Sequence, residues 1–193
     1  MDILFWSGGK DAWLALEFYW QKHPKNDIRL LTTFEEKSKR VPHQNIPIGI
    51  IKKQAKALNL PLNLIPLPTD CPNKIYTAKV HEALKNQGKA VQNLVFGDWY
   101  LQDIRDWREQ QFTESGYKCR FPIWEKPLNE LWTMLLLKPV KIRISAVAEE
   151  YQKFISVGEI FDQNFIRQLP DDIDPMGEKG EFHTQVVFKS FEK

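Results

Sequence analysis

The chain has 193 residues, of which 42% are hydrophobic and 27% are charged, which suits one generous domain or one domain with a small appendage. Its formal net charge of +2 argues against a broad nucleic-acid-binding surface. No secretory leader or apolar run of about 18 residues is present, and Cys71 and Cys119 form no CxxC pair, so we expect a cytoplasmic protein with reduced thiols and no membrane association.

The first stretch with chemical character follows a short apolar run at residues 1–6. It reads Ser7, Gly8, Gly9, Lys10 and Asp11, and a helical pattern begins behind it. A strand, a two-glycine turn and a helix present backbone N–H groups to an anion, and the glycines let a phosphate approach the backbone. Ser7 adds a hydroxyl, Lys10 a mobile cation and Asp11 a carboxylate that can bind Mg²⁺ or cap the helix. An ordinary strand-to-helix turn is the alternative, but this combination favours a phosphate-binding loop, although not a Walker loop.

Residues 10–96 alternate between helical and strand patterns. We predict helices over 10–21, 46–58 and 75–87, strands over 28–34, 62–67 and 94–96, and a charged loop over 35–41. This alternation predicts an α/β fold of the Rossmann type, with a parallel sheet that carries helices on both faces. Ligands of such sheets bind beyond the carboxyl ends of the strands, which would gather residues 7–11 and 67–71, Phe34, Gly97 and Asp98 at one edge.

A further helix is predicted over residues 101–112, and it is dense in charged side chains. One interpretation is a solvated helix face with ion pairs between neighbouring turns, each contributing about 0.2–0.5 kcal/mol. The other is a helix whose first turn faces the ligand edge and offers Asp103 and Arg105 to a substrate. The pattern alone leaves both interpretations open.

The last third of the chain has shorter elements. We predict a strand-like segment over 121–124, helices over 128–137 and 158–169, and strands over 141–147 and 182–188. We therefore divide the chain into a nucleotide-binding domain, residues 1–118, and a smaller α/β subdomain, residues 119–193. The loop before the last strand combines two glycines, two acids and a histidine, namely Gly177, Glu178, Gly180, Glu181 and His183. Charged glycine-rich loops are often only turns, so alone this loop is a weak site candidate.

Together, the opening loop and the late loop resemble those of the diphthine–ammonia ligase family, PP-loop ATP pyrophosphatases with an adenine-nucleotide α-hydrolase-like fold. The family's opening Ser-Gly-Gly-Lys-Asp-Ser is matched from Ser7 to Asp11, and Ala12 stands in place of the last serine. The more specific late motif, Gly-Glu-Asn/Gly-Gly-Glu-Tyr/Phe-His/Glu-Thr, is matched from Gly177 to Thr184, with Lys179 at its third position. A third similarity is the block formed by Gly97, Asp98, Asp103, Arg105, Arg108 and Glu109, and a weaker one lies at His43.

The resemblance implies that a carboxylate attacks the α-phosphorus of ATP, that pyrophosphate leaves, and that ammonia converts the acyl-adenylate to an amide. The partners would be ATP, Mg²⁺, ammonia and a small-molecule or protein carboxylate. The residues implied to be catalytic are Lys10, Asp11, Glu178, Glu181 and His183. Those implied to bind ATP are Ser7, Gly8, Gly9, Lys10, Asp11, Phe34, Gly97 and Asp98, with Asp11 and Asp98 on the metal. Those implied to bind the substrate are His43, Asp103, Arg105, Gly177, Gly180 and Thr184.

Three departures from the family pattern keep other functions open. Ala12 removes a phosphate-facing hydroxyl, Lys179 replaces Asn or Gly, and Met176 replaces a cysteine. A non-catalytic adenine-nucleotide-binding module is therefore the first alternative. A PP-loop tRNA-modifying enzyme is the second, and the near-neutral charge and unpaired cysteines argue against it. The sequence also leaves open whether the chain forms a homo-oligomer.

Overall fold

The structure is a computed structural model that describes residues 1–23 and 28–189. Seven strands form its main sheet: β1 (Asp2–Phe5), β2 (Ile28–Glu35), β3 (Arg40–Val41), β4 (Ile46–Pro47), β5 (Leu62–Leu67), β6 (Asn93–Val95) and β7 (Lys118–Arg120). Four helices accompany them: α1 (Lys10–Lys22), α2 (Ile48–Leu58), α3 (Asn73–Lys85) and α4 (Gln102–Thr113). The rest consists of α5 (Leu128–Leu137), β8 (Val140–Val147), a 3₁₀ turn at Glu149–Tyr151, α6 (Gln163–Gln168) and β9 (Phe182–Phe188).

The main sheet is mixed but mainly parallel. Five strands run parallel in the order β5, β2, β1, β6, β7, and the short β3 and β4 pair antiparallel at the end of β2. The chain first builds outward from β1 to β2 and β5, and then returns to the other side of β1 to form β6 and β7. The strand order therefore reverses between β1 and β6, which is where open α/β sheets form their ligand crevices.

Both faces of this sheet are covered, as the sequence predicts. Successive residues of β1 point to opposite faces, so Ile3 packs in one apolar cluster with Val80 of α3 and Phe112 of α4. Leu4 packs in the other, with Leu14 of α1 and Ile51 of α2. The second cluster continues into the last third of the chain through α5, β8 and β9. The predicted α/β architecture is thus confirmed, and in the last third of the chain β8 and β9 form a separate two-stranded sheet.

The β8–β9 hairpin is joined to the opening loop by hydrogen bonds. The backbone N–H of Val186 donates to the carbonyl oxygen of Gly8 at 2.8 Å. The buried amide of Gln54 donates to the carbonyls of Gly8 and Val186, at 3.0 and 2.8 Å, and its oxygen accepts from the indole N–H of Trp6 at 2.9 Å. Gln54 therefore satisfies buried polar groups of Trp6, of the opening loop and of β9 at once.

Several predicted elements are wrong in their extent. The strand expected at 121–124 lies instead at 118–120, where it pairs with β6, and residues 122–125 form turns. The helix expected over 158–169 begins only at Gln163, because Asp162 caps it by accepting from the N–H groups of Asn164 and Phe165. Before this cap, Ile160 bridges to Arg143 of β8. The loop expected at 35–41 also contains β3 and the last residue of β2, and the first two residues of the helix expected over 46–58 form β4 instead.

The division of the chain at residue 118 stays a prediction, although β7 crosses that position. The two cysteines are free thiols, Cys71 and Cys119. Within residues 1–23 and 28–189, no helix has both the length and the apolar character needed to cross a membrane.

Gly97 is expected to be intolerant of a side chain because of its position against the start of α1. A Cβ at this position would lie 2.8 Å from the carbonyl carbon and oxygen of Asp11, so Gly97→Ala should destabilise the protein by about 1–3 kcal/mol. Gly49 of α2 is the control, since a Cβ there meets nothing within 4 Å and Gly49→Ala should stabilise by up to about 1 kcal/mol. Urea unfolding measures both changes, and a Gly97→Ala variant as stable as the parent would contradict the packing.

Candidate functional site

A cavity of about 970 Å³ opens beyond the carboxyl ends of β1, β2, β5 and β6, at the reversal of strand order. Eight residues predicted from the sequence line it: Ser7, Asp11, His43, Gly97, Asp98, Gly177, Glu178 and His183. The structure thus brings together the opening loop, the end of β6 and the late loop, which are far apart along the chain. The volume is at the upper end of the range for small-molecule sites.

The opening loop makes a tight turn that depends on glycine. Gly8 has a φ of +84°, and a Cβ there would lie 2.6 Å from Cδ1 of Ile51. The N–H of Gly9 donates to Oγ of Ser7 at 3.3 Å, and the N–H of Lys10 donates to Oγ1 of Thr184 at 3.0 Å. Thr184 therefore contacts the loop rather than the cavity, and the start of α1 is completed by a hydroxyl from β9.

Lys10 is not the mobile cation expected from the sequence. Its side chain is buried, only 2% exposed, and its Nζ lies 2.6 Å from Oδ1 of Asp11 and 3.6 Å from Oε1 of Glu178. Burial opposes the charge, but the carboxylates of Asp11, Glu178 and Asp174 together raise the pKa of the Lys10 amine. Lys10 therefore remains charged and links the opening loop to the late loop.

Glu178 has an unusual protonation equilibrium for a carboxyl group that lines a cavity. Burial raises its pKa to about 8, and the nearby carboxylates of Asp11, Asp174 and Asp98 act in the same direction, while Lys10 opposes them. A carboxyl group of this kind exchanges its proton near neutral pH, which is the property that a general acid or base requires.

The late loop is held in shape by two further acids. The N–H of Asp174 donates to Oε1 of Glu181, and the N–H of Lys179 donates to Oε2, both at 3.0 Å. Asp174 in turn accepts from the N–H of Met176 and from the hydroxyl of Tyr100, both at 2.8 Å. Glu181 is only 1% exposed and does not line the cavity, so its observed contacts are those of a residue that shapes the loop around Glu178.

Asp98 pairs with Arg108, a residue of the same block of family similarity. Arg108 of α4 donates to its two carboxylate oxygens, through Nε at 2.6 Å and Nη2 at 3.1 Å. The guanidinium also lies 4.5 Å from the ring centroid of Phe96. Burial acts to lower the pKa of Arg108, but the charges and hydrogen bonds of Asp98 and Tyr76 together outweigh it, and the pKa is raised. This bidentate pairing fixes the orientation of the Asp98 carboxyl group at the cavity wall.

Two histidines face each other across the cavity. The ring centroids of His43, in the β3–β4 connection, and His183, on β9, are 6.0 Å apart. Burial lowers the pKa of His183, and the charges of His43 and Lys10 lower it further, so His183 is neutral at pH 7. The structure thus brings His43, a weak similarity in the sequence, into contact range of the late motif.

Other predicted site residues lie outside the cavity. Phe34 is buried, and by strand alternation its neighbours Thr33 and Glu35 line the cavity in its place. Asp103 is exposed on the first turn of α4, while Arg105 donates to Glu109 at 3.2 Å and its Cζ lies 4.6 Å from the ring centroid of Trp124. Gly8, Gly9 and Gly180 shape their loops without lining the cavity.

The acidic side chains of the cavity fit a Mg²⁺ ion that arrives with a nucleotide better than a permanently bound metal ion. Within the described ranges, no three His, Cys, Asp or Glu side chains form a group that could hold a metal ion. Asp11 and Asp98 nevertheless line the same cavity, and Mg²⁺ is commonly held by one or two carboxylates together with substrate phosphates and water.

The raised pKa of Glu178 makes stability depend on pH in a defined direction. Between the unfolded pKa of 4.5 and the folded value of about 8, the folded state holds a proton that the unfolded state has released. The contribution of this group is therefore fully present below pH 4.5 and is lost as the pH rises to 8. We expect Glu178→Gln to gain stability relative to the parent between pH 5 and 8, measured by urea unfolding at both values. The exposed Asp171→Asn should show no such trend, and a pH-independent difference for Glu178→Gln would contradict the assignment.

Comparison with known proteins places the first part of the chain. The model of the family described as "Diphthamide synthase N-terminal domain" matches residues 1–119, while a search of curated protein sequences found no match. Among solved structures, a predicted subunit of tRNA methyltransferase from Methanocaldococcus jannaschii is 15% identical over 97% of both chains, with a TM-score of 0.48. That likeness is too distant to carry a functional argument. Because the family model covers well over half of the chain, the protein belongs to the diphthamide synthase N-terminal domain family, a family of ATP-dependent diphthine–ammonia ligases.

Proposed function

We propose that the protein is an AMP-forming amide ligase of the cytoplasm, which adenylates a small-molecule or protein carboxylate with ATP and amidates it with ammonia. The observation that carries this proposal is the cluster of Lys10, Asp11 and Glu178, in which one buried amine joins the opening loop to the late loop. A plain nucleotide-binding turn has no need for a buried carboxyl group with a pKa near neutrality.

The opening loop would hold the phosphates of ATP. Ser7 and the backbone of Gly8 and Gly9 lie at the start of α1, where the helix dipole and the N–H groups favour negative charge. Asp11 and Asp98 would hold Mg²⁺, which supplies positive charge to the phosphates when bound. Because Lys10 is already paired, it acts by fixing Asp11 and Glu178 in place.

Glu178 is our candidate for proton transfer in the amidation step. Attack by nitrogen on an acyl-adenylate requires neutral ammonia, and the attacking nitrogen must then lose a proton. Glu178 lines the cavity and has a pKa of about 8, so it is ionised in part at neutral pH and can accept that proton. Neutral His183 is a second acceptor on the same wall, while Glu181 maintains the loop.

The proposal is tested by incubating the protein with ATP, Mg²⁺ and ammonium, with and without a carboxylate library, and by separating AMP from ADP. We expect AMP and pyrophosphate, with a rate reduced about 10²–10⁴-fold in Glu178→Gln because a general base is removed. Asp11→Asn should also lose activity, whereas the control Asp103→Asn, on the exposed side of α4, should retain it. ADP as the product, or full activity in Glu178→Gln, would contradict the proposal.

A non-catalytic nucleotide-binding module is the second candidate, and Ala12 is the observation that favours it. Ala12 lines the cavity on the first turn of α1, at the position where the resemblance expects a serine hydroxyl. A binder that no longer turns over could lose this hydroxyl without consequence, whereas a ligase would have to manage without one phosphate contact.

Restoring the hydroxyl measures how close the phosphates come to this position. Ala12→Ser should tighten ATP binding about 3- to 10-fold, as expected for one added hydrogen bond of about 1 kcal/mol. Calorimetric titration with ATP provides the measurement, and Gly49→Ala serves as a control remote from the cavity. Unchanged affinity would place the phosphates elsewhere. AMP release by Ala12→Ser but not by the parent would favour the non-catalytic module.

A further inference from the structure

The cations of the cavity wall differ in their availability. Among the described residues that line the cavity, the permanently charged cations are Arg40 and Arg108. Arg108 is committed to both oxygens of Asp98. Arg40 instead donates through Nη1 to the backbone carbonyl of Asn45 at 2.6 Å, and no acid of the described residues lies within ion-pair distance of it. Arg40 therefore presents a positive charge to a cavity whose other charged groups are largely acidic.

Arg40 is held on a shaped element rather than on a free loop. It lies on β3, opposite Glu35 of β2 and Pro47 of β4. The turns that flank β3 use left-handed backbone conformations at residues that are not glycine, with φ of 57° at Lys39 and 63° at His43. Such conformations persist where the surrounding structure imposes them, and they concentrate at functional sites. The bond to Asn45 fixes one guanidinium nitrogen and orients the remaining donors.

The hairpin also forms part of the wall opposite the late loop. His43, in its turn, approaches His183 of β9, so the hairpin and the late loop meet over the cavity. The opening loop lies at the end of β1, whereas β3 pairs with β2 at Glu35, beyond Leu31, the last β2 residue paired with β1. Arg40 therefore lies in a different part of the cavity from the opening loop. The cavity volume of about 970 Å³ leaves room for a second ligand beside a nucleotide.

The anion held by Arg40 should not be the carboxylate that reacts. An ion pair with that carboxylate would stabilise the ground state. It would be lost once the carboxylate oxygen bonds to the α-phosphorus and pyrophosphate leaves, so it would lower the catalytic rate. Binding energy is better supplied by a part of the substrate that keeps its charge throughout the reaction. A carboxylate or phosphate distant from the reacting group meets this condition, and the planar fork of arginine suits both.

We propose that Arg40 is an anion subsite for the acceptor, so that the acceptor of this protein carries a second negative group besides the carboxylate that is adenylated. The identity of the bound molecule as an acceptor rests on the proposed ligase function, whereas anion binding by Arg40 can be measured without turnover. It assigns the substrate to the class of dicarboxylates or phosphorylated carboxylates.

The test compares dianionic probes with matched monoanions in a binding measurement that needs no turnover. Succinate and glutarate are titrated beside butyrate and valerate, and the more highly charged 3-phosphoglycerate beside glycerate, with the fluorescence of Trp6 and Trp99, which line the cavity, or calorimetry as the readout. We expect at least one dianion to bind about 10-fold or more tightly than the monoanions, since a charge-assisted hydrogen bond is added. The dicarboxylate and phosphate arms identify which group is preferred.

The variant Arg40→Gln should abolish this preference, and Arg40→Lys should restore it only in part because a point charge lacks the bidentate fork. Lys39→Gln is the matched control, since it removes the same charge from the adjacent residue, which does not line the cavity. Equal binding of dianions and monoanions by the parent would overturn the subsite, as would a preference that survives in Arg40→Gln. Weaker ATP binding in Arg40→Gln would also overturn it and would place Arg40 on the nucleotide. A dianion preference that depends on Arg40, without AMP release, would retain the subsite and reject the ligase.

Discussion

The buried amine of Lys10 is the interaction on which the rest of the site depends. A charge with 2% exposure is tolerated only when it is paired, and its partners come from the adjacent Asp11 and from Glu178 of the late loop. Asp11 supplies the close ionic partner at 2.6 Å, and Glu178 of the late loop approaches the same amine at 3.6 Å. The opening loop and the late loop therefore meet at this amine, and the site is formed by two distant parts of the chain.

The backbone supports the same union. Val186 and Gln54 both hydrogen-bond to the carbonyl of Gly8, and Thr184 accepts from the N–H of Lys10. These contacts attach β9 to the first turn of α1, so that the small two-stranded sheet supports the opening loop. The opening loop is therefore held in shape by residues from the far end of the chain.

Local patterns in the sequence predict much of this fold because they encode local preferences. The bounds of β5, α5 and β9 agree with the apolar periodicities, and the strand–loop–helix at the N-terminus follows from its two glycines. The errors arise where tertiary contacts decide. β7 is a strand because β6 offers it a parallel edge, and α6 is short because Asp162 caps it late. Asp98 pairs with Arg108 across two elements, and Lys10 is buried against the distant late loop. Local spacing in the sequence could not reveal either contact.

The charged groups of the cavity differ between the opening loop and the β3–β4 hairpin. At the opening loop, one buried cation faces Asp11, Glu178 and Asp174, and the excess of acid there is reduced because Glu178 retains its proton near neutrality. This acidic part of the cavity suits nucleotide phosphates that carry Mg²⁺, and it repels a carboxylate that carries no cation. At the β3–β4 hairpin, Arg40 adds a guanidinium opposite Glu35, and no acid of the described residues lies within ion-pair distance of it. A substrate with a negative group at its far end would therefore be drawn to the hairpin, with its other end directed toward the opening loop, and orientation of this kind is a large part of what an active site contributes to a two-substrate reaction.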